Sequence, residues 1–196
     1  MPEIGESRKK GGLIRTGQIT QYGGYQDDGL LQKGLSKRYV ILTTGPRAGT
    51  TDITVNAKTD AHSNNCVYDR RTKLTWSRYF SDSLGPASDG KLPWTTNGNG
   101  EGIFTYVAAA NAAKLAGYSD WRIPNAHELN SLFQIEAPAA LPDTTAFPTF
   151  TSSIVLWSAT TRTDDTTNAM SPEFLRGRHA LNLKTSTQYL LLVRGG

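Results

Sequence analysis

The chain has 196 residues and a net charge of +4, and its charged fraction of 19% lies below the roughly 25% of an average protein. Its 24 Thr and 19 Gly make up much of the polar remainder. β-Branched Thr favours strands and Gly favours turns, so the composition excludes a coiled coil, a collagen stalk and a helical bundle. Since no apolar run reaches the roughly 18 residues of a membrane helix, we expect no membrane insertion.

Charge and cysteine content narrow the class of partner. A nucleic-acid-binding protein concentrates Lys and Arg on one face, whereas here the clustered basic residues are only Arg8, Lys9, Lys10 and Arg15. We therefore expect no nucleic-acid partner. Cys66 is the only cysteine, which excludes an intramolecular disulfide and favours assembly in a reducing cytoplasm. The N-terminal sequence lacks the apolar stretch of a secretory signal, so we expect a protein that is cytoplasmic or leaves the cell by another route.

Residues 1–62 contain little that could form a core of their own. Seven Gly interrupt short polar and aromatic pieces over 11–34, and glycine at this density favours turns. Strands are predicted over 37–42 and 51–55, with a loop over 45–49 between them. We therefore predict an extended N-terminal arm that gains its order by packing on its own body, on a sister subunit or on a partner.

The folded domain is predicted to cover residues 63–196 and to begin with a β-hairpin. This hairpin spans 66–76, and Asp69 opens its turn. An Ala-rich helix follows over 104–116 and stops at Gly117, the residue type expected beyond a helix C-cap.

A second helix is predicted to begin after Asn125. Asn125 and Glu128 have the N-x-x-E spacing of a capping box, in which each residue satisfies a backbone amide of the other. Further strands are predicted over 154–159, 178–183 and 188–193, and the last of these is expected to be a buried central strand. These elements predict an α+β fold with two short helices and small antiparallel sheets.

Motifs for catalysis are missing from the sequence. His62, His127 and His179 lie in separate segments without metal-ligand spacing, and there is no phosphate loop, nucleophile elbow or dinucleotide fingerprint. A lone cysteine such as Cys66 is more often a small buried hydrophobe than a nucleophile. We therefore expect a protein that is not an enzyme and that needs no cofactor or metal.

The four tryptophans have two alternative roles. Trp76, Trp94, Trp121 and Trp157 could form a platform on which sugars stack, but Trp also fills the core of a domain with few strands. The core role is favoured for Trp121 and Trp157, because each lies in a tight polar motif. Trp94 stands in a loop rich in Gly, Pro and Asn, and we predict it to be an exposed ligand anchor.

Five motifs in a fixed order give the chain its resemblance to a known family. The segment GYSDWRIP over 117–124, followed by Glu128-Leu129, resembles the GYSDWRLP…EL signature of the Lcl C-terminal domain family. The other four motifs, within 65–196, are VYD followed by T, L and W over 67–76, FP over 147–148, LWSAT over 156–160, and NAM…F…G…LVR over 168–194. Lys73 stands where the first of these motifs has Gly in the family.

The resemblance implies a C-type-lectin-like fold and a role in binding, including glycan adhesion. Related domains in phages form receptor-binding or tail-fibre tips, and the segment over 16–34 resembles the one that precedes them. The paired cysteines of many family members and the calcium-binding triplet of lectins are missing here, so calcium-dependent sugar binding is unsupported. We therefore predict a non-enzymatic phage virion protein, assembled in the host cytoplasm, that binds a host-surface glycan or protein. Residues 1–62 would dock it to other virion proteins or to sister subunits, in a homo-oligomer such as a trimer.

The resemblance and the residue types together divide the site residues into two sets. Those expected to be structural are Asp69, Trp76, Asp120, Trp121, Arg122 and Trp157; in this set Asp120 and Arg122 would brace the turn that contains Trp121 through charge-assisted bonds. Polar, adaptable side chains in the loops over 161–167 and 172–178 have the composition of a recognition surface on a rigid scaffold. The predicted ligand-binding residues are Trp94, Arg162, Asp164, Asp165, Asn168, Arg176 and Arg178.

Two alternatives keep the same fold. In the first, the chain is a virion decoration or joining protein, and its loops contact other virion proteins. In the second, it is an enzyme, because formylglycine-generating enzymes share the broader fold. That chemistry uses a pair of thiols, which Cys66 alone does not supply.

Overall fold

The computed structural model describes residues 38–44, 48–50, 66–78, 80, 90–134 and 142–196. In these ranges the fold is α+β, as predicted, with small antiparallel sheets and two α-helices. The strands are β1 (Tyr39–Thr44), β2 (Ala48–Thr50), β3 (Cys66–Asp69), β4 (Thr75–Ser77), β5 (Lys91–Pro93), β6 (Asn168–Glu173), β7 (Arg178–Leu183), β8 (Thr187–Tyr189) and β9 (Val193–Arg194), and the helices are α1 (Ile103–Ala112) and α2 (Ala126–Asn130).

The central sheet has five antiparallel strands in the order β2-β1-β3-β4-β9. The predicted hairpin is confirmed as β3 and β4, with Val67 opposite Trp76. Strand β1 begins and ends two residues later than the predicted strand, and it pairs along all of β3. A part of residues 1–62 is therefore a strand of the main sheet. Strand β2 occupies part of the segment predicted as a loop, and the strand predicted over 51–55 lies outside the described residues.

Among the described residues two smaller sheets accompany the central one, and one of them corrects a prediction. Strands β5 and β8 form one pair, and β6 and β7 form the other. In the latter, Asn168 lies opposite Leu183 at one end and Glu173 lies opposite Arg178 at the other. Strand β6 is not predicted by the sequence pattern. The segment predicted as a loop over 172–178 is the end of this hairpin. Its first two residues belong to β6, its last residue belongs to β7, and only residues 174–177 form the turn.

Helix α1 ends earlier than predicted. It stops at Ala112, because Lys114 and Ala116 have left-handed φ values of 52° and 51°, and a single 3-10 turn covers Leu115–Gly117. The buried residues of α1 are Ile103, Tyr106 and Ala110. In the described part of the chain, neither helix is long and apolar enough to cross a membrane.

The predicted capping box of α2 is confirmed. The Asn125 side chain accepts a hydrogen bond from the Glu128 amide at 2.9 Å, and a Glu128 carboxylate oxygen accepts one from the Asn125 amide at 2.8 Å. These two bonds satisfy backbone donors that the helix leaves free at its N-terminus.

The core consists of two clusters, and the final apolar run separates them. One cluster contains Leu191 and the other contains Leu190 and Leu192, so successive side chains of this run serve opposite sides. The run is buried as predicted, but it is not one strand: β8 ends at Tyr189 and β9 begins at Val193. The strand predicted over 154–159 is likewise reduced to isolated bridges.

Candidate functional site

Trp121 is held in the core by hydrogen bonds on three sides. The side chain is 2% exposed, and its Nε1 donates to the carbonyl oxygen of Leu115 at 2.8 Å. One side chain of α1, Asn111, accepts from the Trp121 amide at 2.7 Å and donates to the Trp121 carbonyl at 2.9 Å. Trp121 is therefore a structural residue that ties α1 to the next segment. Nothing in the sequence singled out Asn111, because an Asn within a helix usually faces solvent.

Asp120 and Arg122 brace Trp121 to other elements of the fold. The Asp120 carboxylate accepts hydrogen bonds from Nε and an Nη of Arg194 in β9, at 2.6 and 3.0 Å. The Arg122 guanidinium makes a two-pronged pair with Glu128 in α2, at 2.9 and 2.6 Å, and also donates to the carbonyl of Gly195 at 2.9 Å. The Arg194 side chain, through its hydrogen bond and charge, lowers the pKa of Asp120.

Asp69 organises the β3–β4 turn from inside the protein. Its carboxylate accepts from the Arg71 amide and the Thr72 hydroxyl, each at 2.9 Å. The guanidinium of Arg38, which directly precedes β1, donates to the same carboxylate at 3.1 and 2.7 Å. Since the side chains of Arg38 and Asp69 are 8% and 0% exposed, this is a buried ion pair.

Trp76 and Trp157 are fully buried, one in each core cluster. Trp157 Nε1 donates to the Leu92 carbonyl at 2.6 Å, which connects the 154–159 segment to β5. The surroundings of these two tryptophans therefore leave no indole face for a ligand.

Trp94, predicted as an exposed anchor, is half-buried and partly covered. Its Nε1 donates to the carbonyl of Ser158 at 2.9 Å. The Lys184 ammonium lies 4.0 Å from the centre of the indole ring, and the Phe104 ring packs edge-on with a centroid distance of 4.9 Å. Phe104 itself is 49% exposed, so it presents more apolar surface to solvent here than sequence reasoning assigned to it.

The loop between residues 161 and 167 is organised by its own short-range hydrogen bonds. Arg162 forms an exposed ion pair with Asp164. Asp165 accepts from the Thr167 amide and hydroxyl, and its second oxygen accepts from the Asn168 side chain at 2.5 Å. The bond from the Thr167 hydroxyl is the main cause of a lowered pKa at Asp165. Both carboxylates are therefore charged at neutral pH.

The turn between β6 and β7 carries a second charged group. The Glu173 carboxylate pairs with Arg176 and accepts from Nε of Arg178 at 2.8 Å. These hydrogen bonds, first that from Arg178, lower the pKa of Glu173. Glu173 was missed by the sequence analysis, although its position three and five residues before two arginines is a usable signal. Next to them, Leu175 is 49% exposed.

The predicted ligand-binding residues therefore fall into two groups at opposite ends of the β6–β7 hairpin. We name the first group the loop end (Trp94, Arg162, Asp164, Asp165 and Asn168). The second group, together with its neighbours Glu173 and Leu175, is named the hairpin tip (Glu173, Leu175, Arg176 and Arg178). Trp94 joins the loop end through Lys184, whose carbonyl accepts from the Trp94 amide and whose amide donates to Thr167. A six-residue strand spans about 17 Å at a rise of about 3.3 Å per residue, so one small ligand cannot contact both ends of β6.

The remaining reactive residues of the described part of the chain are one buried cysteine and two separate histidines. Cys66 is 1% exposed, and its burial raises the pKa of the thiol to about 12. Within the described ranges, no three His, Cys, Asp or Glu side chains lie close enough together to hold a metal ion. His127 is exposed on α2 and His179 is half-buried in β7, while His62 lies outside the described residues.

Comparison with known proteins identifies one family. The family model described as the Lcl C-terminal domain matches residues 65–194, about two thirds of the chain. This range agrees with the span of the five motifs. No curated protein matches the chain.

Proposed function

Since the chain belongs to the Lcl C-terminal domain family, which points to a surface-associated protein of a phage or bacterium, we propose that it is a phage virion protein. In this proposal the protein has no catalytic activity. Its folded domain, residues 63–196, recognises a host-surface glycan or protein, and the protein serves as a tail-fibre or receptor-binding component. It needs neither a cofactor nor a metal.

The observation that carries the proposal is the separation of scaffold from presented surface. The motif residues of the family hold the fold from inside, as Trp121 and Asp69 do, or brace its elements together, as Arg122 does. The predicted ligand-binding side chains other than Trp94 lie instead on one hairpin and the loop before it. Short-range ion pairs hold these side chains in place, which reduces the entropy that binding would cost. Polar groups presented on a rigid support are typical of recognition sites.

The same proposal assigns residues 1–62 to contacts with other virion proteins or sister subunits. Strand β1 already pairs with β3 in the main sheet. A docking contact would therefore use the part of this segment that precedes β1. We propose a homo-oligomer, with a trimer as the first arrangement to test, because three copies would present the loops side by side. Light scattering of the purified chain measures the copy number directly.

A glycan array tests the recognition function. The probe is the full chain rather than residues 65–196, since removing β1 would strip a strand from the central sheet. Asp164→Ala tests the loop end, Arg178→Ala tests the hairpin tip, and Arg70→Ala removes an exposed charge from the β3–β4 turn as a matched control. We expect bacterial surface glycans to bind, and one of the two test variants to weaken binding at least tenfold.

The array and its variants also define failure. Equal glycan binding by all three variants and the parent, at equal thermal stability, would place recognition outside these two groups. If the parent chain binds neither the glycans of the array nor intact host cells, the recognition function as a whole is refuted.

A second candidate, a virion joining or decoration protein, is favoured by exposed apolar residues. Of the four large hydrophobic side chains exposed in the described ranges, three lie on the β6–β7 hairpin: Leu175, Leu181 and Leu183. Such residues suit contacts with protein better than with sugar hydroxyls. Phage particles that carry Arg176→Ala and Arg178→Ala distinguish the two candidate functions. If the chain is a joining protein, the particles should become less stable; if it is an adhesin, they should adsorb less well to host cells.

The enzymatic alternative gains no support from the surroundings of Cys66. A catalytic thiol is partly exposed and has a low pKa, whereas this thiol is buried and its pKa is raised.

A further inference from the structure

Strand β7 has one edge that pairs with β6 and a second edge that points away from it. Asn168 and Met170 of β6 direct their backbone groups toward the 160–162 segment, as the bonds from Met170 to Thr160 and from Arg162 to Asn168 show. Backbone groups alternate between the two edges of a strand. In β7, Leu183 lies opposite Asn168 and Leu181 lies opposite Met170. Leu181 and Leu183 must therefore direct their backbone N–H and C=O groups away from β6.

This outer edge of β7 is formed by His179, Leu181 and Leu183. In the part of the chain that the structure describes, the backbone N–H groups of all three and the carbonyls of His179 and Leu181 have no hydrogen-bond partner. The Leu183 carbonyl accepts from Ser186. A row of free donors and acceptors at a sheet edge is a template on which another strand can pair.

Exposed apolar side chains accompany the free edge. Leu181 is 44% exposed and Leu183 is 55% exposed, and both lie on the hairpin face that also carries Met170. A strand added at this edge would place its own alternate side chains on the same face, directly opposite His179, Leu181 and Leu183. Apolar residues at those positions would cover the two leucines.

The charges at the two ends of β7 select the kind of strand. In the antiparallel register that uses all three edge residues, a second copy of this chain would bring its own Lys184 opposite Arg178 at both ends. Like charges directly opposite each other are destabilising. A strand with a carboxylate at each end would instead pair favourably with Arg178 and Lys184.

We propose that the outer edge of β7 is a docking site for an extended strand of a partner protein, with apolar residues at alternate positions and an acidic residue near each end. Main-chain hydrogen bonds supply affinity and the alternate side chains supply selectivity, as in other cases of strand addition. The site does not depend on whether the chain recognises a host glycan.

Capped synthetic heptapeptides test the site on the full chain. The probe is Asp-Val-Thr-Val-Thr-Val-Asp, and two controls are the same peptide with Lys at both ends and the acidic peptide with an N-methyl group on its central Val. Binding is measured by calorimetry in low salt, and hydrogen exchange of the Leu181 and Leu183 amides is followed by NMR. We expect the acidic peptide to slow both amides at least tenfold, and each control peptide to bind at least tenfold more weakly.

A charge reversal on the protein completes the test. Lys184→Glu, alone and with Arg178→Glu, should move the preference toward the Lys-ended peptide, whereas Arg70→Glu should leave it unchanged. Three results would overturn the proposal: equal binding of the N-methylated peptide, no slowing by any peptide at millimolar concentration, or slow exchange of both amides in the free monomeric chain. Concentration-dependent protection of these amides without peptide would identify a second copy as the occupant and would also overturn it.

Discussion

Replacing Asp69 by alanine tests whether one buried carboxylate fastens β1 to the rest of the domain. In the native fold the Asp69 carboxylate accepts two hydrogen bonds from Arg38, at 3.1 and 2.7 Å, and one each from the Arg71 amide and the Thr72 hydroxyl, at 2.9 Å. Asp69→Ala removes all of these acceptors and leaves the rest of the turn sequence unchanged.

The size of the expected loss of stability follows from the contacts that Arg38 keeps in Asp69→Ala. Its side chain is 8% exposed, and among the described residues it keeps a 3.4 Å hydrogen bond to the Ser131 hydroxyl and a contact with the Tyr39 ring, whose centre lies 4.6 Å from the guanidinium. Removing one partner of a buried ion pair costs about 3–5 kcal/mol, because the other charge stays buried without compensation. We therefore expect the free energy of unfolding to fall by about 3–5 kcal/mol. At about 2–4 °C per kcal/mol for a domain of this size, the melting temperature should fall by about 10 °C.

Urea unfolding followed by tryptophan fluorescence measures the effect, since Trp76 lies opposite β3 in the central sheet. Arg38→Met removes the other charge, and the double variant should lose at least about 2 kcal/mol less than the sum of the single variants, as expected for residues in direct contact. Arg70→Ala, an exposed neighbour, should change stability by no more than about 0.5 kcal/mol. A loss below about 1 kcal/mol for Asp69→Ala, or additive single variants, would refute the ion pair as the fastening of β1.

Four further predictions follow from the described contacts. Lys73→Gly should stabilise the domain by about 0.5–1 kcal/mol in urea unfolding, because Lys73 has a left-handed φ of 63° that Gly adopts without strain; Lys73→Ala, which keeps a Cβ, should give no such gain. Asn111→Ala should cost about 2–3 kcal/mol in the same assay, because two backbone groups lose their partner, and a neutral result would contradict that role. Burial of Glu128 would raise its pKa, but the hydrogen bonds from Arg122 and a backbone amide outweigh the effect of burial and lower the pKa below 4.5. The free energy of unfolding should therefore fall as the pH drops from about 4.5 through the lower pKa of the folded state. Arg122→Ala should make this dependence of stability on pH weaker in acid titrations. Cys66 should react with a thiol reagent at pH 8 only after urea is added, and rapid labelling of the native chain would revive a thiol mechanism.

The parts of the fold that the sequence predicts well are those decided by near neighbours. The capping box of α2 needs only Asn125 and Glu128, three positions apart, and both of its hydrogen bonds are present. The β3–β4 hairpin is similarly local, because Asp69 contacts residues two and three positions further along the chain. Local geometry limits such patterns to few conformations, so a sequence motif suffices to identify them.

The parts that were missed are decided by contacts between distant segments. The apolar run before Val193 reads as one strand, but the two core clusters on either side of it bury its residues without continuous strand pairing. Strand β6 is rich in polar residues and contains Pro172, which argues against a central strand; it forms because β7 pairs with it along its whole length. The partner of Asp120, Arg194, lies 74 residues away, and no spacing rule connects them.

The candidate site follows the same division, since residue types predict its polar character and only the structure reveals its charge pattern. At the loop end, Arg162 and the adjoining Lys184 balance the carboxylates of Asp164 and Asp165, which leaves no net charge among these four residues. At the hairpin tip, Glu173 is outnumbered by Arg176 and Arg178, which leaves +1.

This difference in net charge between the two ends bears on which ligand each can bind. The ends of β6 lie about 17 Å apart, farther than the Debye length of about 8 Å at physiological salt, so each end acts on a ligand nearly independently. A ligand bound at the tip alone should be acidic and should bind more weakly as salt is raised, whereas one bound at the loop end should show no such preference for negative charge. A salt series on Asp164→Ala and Arg178→Ala therefore identifies which end binds. If the tip is occupied, Arg178→Ala loses both affinity and salt dependence; if the loop end is occupied, Asp164→Ala loses affinity and Arg178→Ala does not.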